Sequence, residues 1–157
     1  MSMHSGLEVQ LITVLKAAPG LASIKTFEAE IKDALFVGDK LSQGFTSGAL
    51  PAINLSMNLT PTKSSQFTAG EKRYDVPLTV VVITSSGNLT TARDNSIEYA
   101  FAVEAALNDL RRSGNPLGRN ILLTGDISVG AASVVHEKPM AFAWVSIEAT
   151  ISVVVTL

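Results

Sequence analysis

Alternation of apolar and polar side chains is strongest over the last seventeen residues. From Ala141 to Leu157 every odd position is apolar: Ala141, Ala143, Val145, Ile147, Ala149, Ile151, Val153, Val155 and Leu157. Ser146, Glu148, Thr150, Ser152 and Thr156 hold even positions, interrupted by Phe142, Trp144 and Val154. A period of two places alternate side chains on opposite faces of a sheet, so this stretch predicts a half-buried β-strand. At ~3.3 Å per residue it runs ~56 Å unbroken. A compact chain of this length has a radius of gyration near ~15 Å. The strand therefore either bends or breaks, near Ser146–Glu148, or projects from the protomer and pairs with a neighbour. That mismatch points to assembly.

Elsewhere the pattern alternates between periods. Ser5-x-x-Glu8 reads as a capping box, and Leu7, Leu11, Val14, Leu15 and Ala18 then fall on one helical face before Pro19-Gly20 stops it. A short strand is expected near Ser23–Phe27. Glu28 to Leu50 is irregular, with four acids against two lysines and Phe36 and Phe45 as anchors; long irregular segments of this kind tend to be binding loops. Ala52–Leu59 alternates as a strand, Thr60–Glu71 is a polar loop, and Arg73 to about Ser85 is the returning strand, a hairpin with an extended tip. Pro77 lacks an N–H and belongs at a bulge or facing away from a partner strand.

Ser85-Ser86-Gly87-Asn88 is a turn. A second helix follows, capped by Thr91 with Asp94 or by Asn95 with Glu98, its stripe Ile97, Ala100, Phe101, Ala105, Leu107 and Leu110. Its many alanines let it lie close to a sheet, and Gly114 ends it. Ile121–Val135 gives one strand, or two around Gly125 and Gly130, and His136-Glu137-Lys138-Pro139 turns into the final strand. The order predicts one α+β domain over residues 1–157: a mainly antiparallel sheet with two helices packed on one face, plus an extended β-hairpin.

Composition sharpens this. Charged residues are 17% of the chain and hydrophobic residues 46%, against ~25% charged in an ordinary domain, so some of the surface is expected to be covered by a partner. A net charge of −2 and a pI near 5.6 argue against a free-standing nucleic-acid binder. There is no cysteine, which removes disulfides and thiolate metal sites. No run approaches the ~18 apolar residues of a membrane helix, and Leu7–Ala18, with Glu8, Gln10 and Lys16, makes a poor signal peptide. The three Asn-x-Ser/Thr triplets at Asn54, Asn58 and Asn88 carry no weight without one. The expectation is a soluble, intracellular product.

Catalytic signals are thin. His4 and His136 stand apart, with no metal-ligand spacing. Gly44-Phe-Thr46-Ser-Gly48 lacks the strand and helix a nucleophile elbow needs, and Gly70-Glu-Lys72 lacks P-loop spacing. Asp126 and Glu148 form a carboxylate pair if their strands are neighbours; at polar-face positions the plainer role is a solvated or interface charge. Arg111, Arg112 and Arg119 are the basic cluster, either a complement to the helix dipole or candidate DNA-channel residues contacting phosphates alone. Lys63, Lys72 and Arg73 stand in the same way on the hairpin. Phe142 and Trp144, on a face shared with Glu148, mark a covered patch or an interface. No cofactor and no metal is expected.

The succession "LEVQLITVLKAAPG", an acidic irregular segment, "LPAINLSMN", a polar hairpin loop, "YDVPLTVVVIT", "ARDNSIEYAFAVEAALNDL" and a long alternating C-terminal strand resembles the tail terminator and tail-completion proteins of long-tailed phages, particularly Mu-like tail proteins of phages and prophages. The resemblance covers nearly the whole chain and rests on the order of elements, with no short motif. It implies a non-enzymatic structural protein forming a hexameric ring on the tail tube, which ends tube polymerisation and offers a surface to the head connector. The implied partners are further copies of itself, the tube protein and the connector, with DNA only in passage and no membrane; the implied place is the bacterial cytoplasm during assembly and then the virion tail. By the same resemblance the C-terminal strand and the 60–72 hairpin, with Phe142, Trp144, Glu148, Lys63, Lys72 and Arg73, carry intersubunit or tube contacts. The competing readings are a small-ligand or enzymatic domain with its site in the 28–50 loop, and another neck, tube or baseplate component.

Overall fold

The structure, a computed structural model, describes residues 3–29, 50–57, 63–68, 70–112, 121–137 and 139–156. The chain is α+β. Helix α1 (Met3–Ala17) and a 3₁₀ turn (Pro19–Leu21) lead to strands β1 (Thr26–Ala29), β2 (Ala52–Met57), β3 (Lys63–Thr68) and β4 (Glu71–Ser86). Helix α2 (Leu89–Arg112) follows, then β5 (Ile121–Val129), β6 (Ser133–Glu137) and β7 (Met140–Thr156). The seven strands form one sheet in the order β1-β2-β4-β7-β5, with β3 also on β4 and β6 also on β7. Every pairing is antiparallel except β1 with β2, which run parallel.

The sheet is built on two long strands. β4 and β7 pair without interruption from Glu71 opposite Thr156 to Ser86 opposite Ala141. Of the alternatives that its length raised, a break near Ser146–Glu148 is absent from this ladder; the interruption falls instead on the neighbouring edge. There β5 and β6 share the same side of β7, separated by Gly130–Ala132 after a register shift between Thr124 and Ser128. Gly130 donates its N–H to the Ser146 carbonyl at 2.8 Å, so β7 keeps its ladder to β4 while its partner on this side changes register. On the other side, β2 pairs with β4 down to Leu78 and β3 begins at Asp75. Val76 and Pro77 thus have no described partner on that edge, and the missing proline N–H costs no ladder bond there. The expected polar loop at 60–72 contains a strand, β3.

Period-two alternation sorts the faces. Ile53, Leu55 and Met57, Val76, Leu78, Val80 and Val82, and Val145, Ile147, Ala149 and Ile151 are all buried on the first face, as their register requires. Both helices cover it: Leu11 and Leu15 from α1, and Ala100, Val103, Leu107 and Leu110 from α2, complete the same core. Near the start of α2, Ala92 packs with Ala141 and Ala143, and the Thr84 hydroxyl donates to the Ala92 carbonyl at 2.7 Å. Small residues allow close approach. A Cβ built on Gly20 would lie 3.0 Å from that of Ala102.

Three local expectations are corrected. α1 begins at Met3, ahead of the Ser5–Glu8 box, and Glu8 is buried. α2 is capped by Asn88, whose Oδ1 accepts from the N–H groups of Thr90 at 2.8 Å and Thr91 at 3.2 Å, satisfying two of the orphan donors at a helix start. Phe101 and Ala105, placed on the apolar stripe, are exposed. The buried row is Ala92, Ser96, Ala100, Val103, Leu107 and Leu110, and Phe101 lies about 100° around the helix from Ala100.

Candidate functional site

The second face and the far end of the long ribbon carry the chemistry. At ~3.3 Å per residue the sixteen residues of β4 extend ~53 Å. The twenty-four residues of α2 extend ~36 Å. α2 starts beside the Ser86 end of β4 and is ~17 Å shorter than that strand, so a helix of its length laid along β4 leaves an overhang at the Glu71 end. The overhang is four strands wide, β3-β4-β7-β5, with β3 and β5 as its outer edges among the described residues.

On the second face the described side chains of the overhang, Arg73, Asp75 and Ser152, are polar. Arg73 Nε donates to Asp75 Oδ1 and to Ser152 Oγ, both at 3.2 Å, and Ser152 Oγ donates to Asp75 Oδ1 at 2.5 Å. Asp75 and Ser152 are directly opposed in the β4–β7 register, so one cross-strand pair and its i−2 neighbour form a triangle. The Arg73 and Asp75 side chains are 37% and 22% exposed, and a pair this wet contributes little to stability alone; it orders the end of the ribbon. Lys63 occupies the register position opposite Asp75. Lys72 occupies the register position opposite Gln66 and Val155.

Toward the middle of this face, Pro77, Thr79, Asp126, Ser128, Glu148 and Thr150 line an open groove of about 310 Å³. The pairing of Ser128 with Glu148 brings the Asp126 and Glu148 carboxylates to one groove, as neighbouring strands would. Among the described residues no group of three His, Cys, Asp or Glu side chains is disposed to hold a metal ion.

Beyond the groove lies a second apolar cluster. Phe142 is buried with Leu50, Ala52, Val81 and Ile83, and Trp144 packs against them half-buried with Val135 and Met140. Trp144 stands opposite Ile83 in the ladder, so the aromatic pair predicted from spacing does share one face. Next to the cluster, Asn54 is buried on β2, its Oδ1 without a hydrogen-bond partner among the described residues.

Arg111 and Arg112 are exposed at the end of α2. Arg111 donates to Asn108 Oδ1 at 2.8 Å and Arg112 lies 3.7 Å from Asp109. Arg119 lies outside the described residues, as do positions 30–49 of the 28–50 loop. The structure thus brings Arg73 and Glu148 to one face of the ribbon, sets Lys63 at the register position opposite Asp75, and leaves the α2 arginines on another element. Sequence reasoning missed the Asp75–Ser152 partnership. Asp75 and Arg73 are legible as same-face neighbours, but Ser152 joins them only through a pairing 77 residues away.

No family model and no curated protein sequence matches this chain. A chain in the virion of a native gene transfer agent particle is similar at 17% identity, covering 97% of this chain and 99% of that one, with a TM-score of 0.46. A crystal structure from Akkermansia muciniphila is similar at 10% identity, covering 95% of this chain and 78% of the other, with a TM-score of 0.29. At these values neither structure fixes what this chain does.

Proposed function

We propose that the chain is a structural protein of a phage-like particle, a tail-terminator component that assembles into a ring through its long ribbon. The observation that carries the reading is the overhang. Two strands paired over sixteen residues are longer by ~17 Å than the helix that packs on them, and a lone protomer needs no ribbon of that length to bury its core. Strand edges with free N–H and C=O groups are templates for pairing with another chain. β3 and β5 border the overhang on opposite sides, so one copy's β3 edge can meet the next copy's β5 edge head to tail, the heterologous contact from which rings close. The low charged fraction, 17%, suits a surface that is largely covered in the particle. By the sequence resemblance the ring is a hexamer that caps the tail tube, stops its growth and presents a face to the head connector.

In this reading Lys63, Arg73, Glu148 and Trp144 lie on the sheet face that meets the tube or the adjoining subunit, and Arg111, Arg112 and Arg119 border the passage for DNA. The test is deletion of residues 60–70, which removes β3 and none of the described residues of the core under α2. The expected product keeps the circular dichroism and cooperative melting of the parent chain and forms no rings in negative stain. Rings formed by the deleted chain would overturn the proposal.

A further inference from the structure

Among the described residues, the outward side of α2 packs on no strand. Its centre line, opposite the buried row, runs through Asp94 and Arg112, which are eighteen residues or five turns apart, with Phe101 and Ala105 about 20° to either side. All four are exposed, and Phe101 leaves 56% of its surface in water. This stripe is self-complementary. Reversing the helix about Val103 sets Asp94 against Arg112, Phe101 against Ala105 and Glu98 against Asn108.

We infer that α2 is a contact between two copies of this chain, paired antiparallel, with each Phe101 seated on the partner's Ala105 and each Asp94 carboxylate meeting the partner's Arg112. The contact is isologous, so every interaction occurs twice. Charge favours that orientation: Arg93, Asp94 and Glu98 at one end face Asp109, Arg111 and Arg112 at the other, −1 against +1. In a parallel pair each end would face its own kind. The present partners of these charges do not hold them away. Arg93 to Asp94 at 3.1 Å and Arg112 to Asp109 at 3.7 Å are exposed pairs along the same helix, and such pairs contribute little. One feature opposes the contact: Asp109 meets the partner's Glu98 at the rim.

The stripe is ~27 Å long and ~10 Å wide. A footprint of that size with one aromatic anchor makes a weak contact. It is a different surface from the β3 and β5 strand edges and goes beyond the ring reading: between two rings the same contact would be repeated around the circumference and strengthened by multivalency.

The experiment is sedimentation equilibrium of the full chain up to about 1 mM, with Asp94→Arg, Arg112→Asp, the two combined, and Asp109→Asn. These positions are exposed, so folding is retained. Each single reversal is expected to weaken the twofold step at least ~10-fold. The combined reversal should return it to within ~3-fold of the parent, and Asp109→Asn should tighten it by relieving the like-charge contact. Single reversals without effect, a combined variant no tighter than the singles, or a parent chain showing no twofold step would each overturn the inference. The two proposals fail separately. A dimer with no larger ring would sink only the ring, and a ring whose mass never doubles would sink only this contact.

Discussion

The cap of α2 separates the structural account from the sequence pattern most sharply. Sequence offers Thr91 with Asp94 or Asn95 with Glu98; the structure assigns the cap to Asn88, whose Oδ1 accepts from two backbone N–H groups. Asn88→Ala removes both bonds and leaves the donors to water, since the site is exposed. The expected cost is about 1 kcal/mol, the usual value for an N-cap asparagine. At about 2.1 cal/mol/K per residue, a chain of 157 residues has an unfolding entropy near 0.33 kcal/mol/K, so the melting point falls by about 3 °C. Asn88→Asp should sit within a few tenths of a kcal/mol of the parent, or above it through the helix dipole. Thr91→Ala, at an exposed position inside the helix, should be neutral or slightly stabilising because alanine is the better helix former. The assay is thermal or urea unfolding by circular dichroism on the four chains in one buffer. A loss of about 1 kcal/mol in Thr91→Ala with none in Asn88→Ala would refute the assignment.

Other substitutions probe the core and the faces. Leu107→Ala, at a fully buried position of the main core, should cost about 2–5 kcal/mol in urea unfolding, whereas Phe101→Ala, on the same helix but exposed, should stay within about 0.5 kcal/mol. Gly20→Val should cost about 1–3 kcal/mol by overpacking, because even the first added carbon meets Ala102 at 3.0 Å; a neutral result would mean the 3₁₀ turn does not lie against α2. Trp144→Ala removes the half-buried member of the second cluster. Under the proposed function it should reduce ring yield in negative stain more than it lowers the melting temperature.

Much of the fold was readable because one side of the sheet is buried by helices and period two survives there. Val76 to Val82 and Val145 to Ile151 announce both strand and face. Regions without that asymmetry were not readable. β3 spells Lys-Ser-Ser-Gln-Phe-Thr, with a single apolar residue, and exists as a strand because β4 offers it an edge. Phe101 misled because hydrophobicity alone cannot separate a core residue from one 100° away on the same helix. The parallel pairing of β1 with β2 depends on chain between them that carries no period. Of the site, spacing placed Phe142, Trp144 and Glu148 on a common face and made Asp126 and Glu148 conditional neighbours. The Arg73–Asp75–Ser152 triangle needed the β4–β7 register, which is a global property of the sheet.

The central claim is that the long β4–β7 ribbon exists to join copies of this chain. Its most direct test is the mass of the full chain by light scattering over a concentration series, with negative-stain images of the same samples. The account predicts closed rings, or a transition from monomer to ring with rising concentration. A monodisperse monomer at every concentration, with no ring in the images, would contradict it.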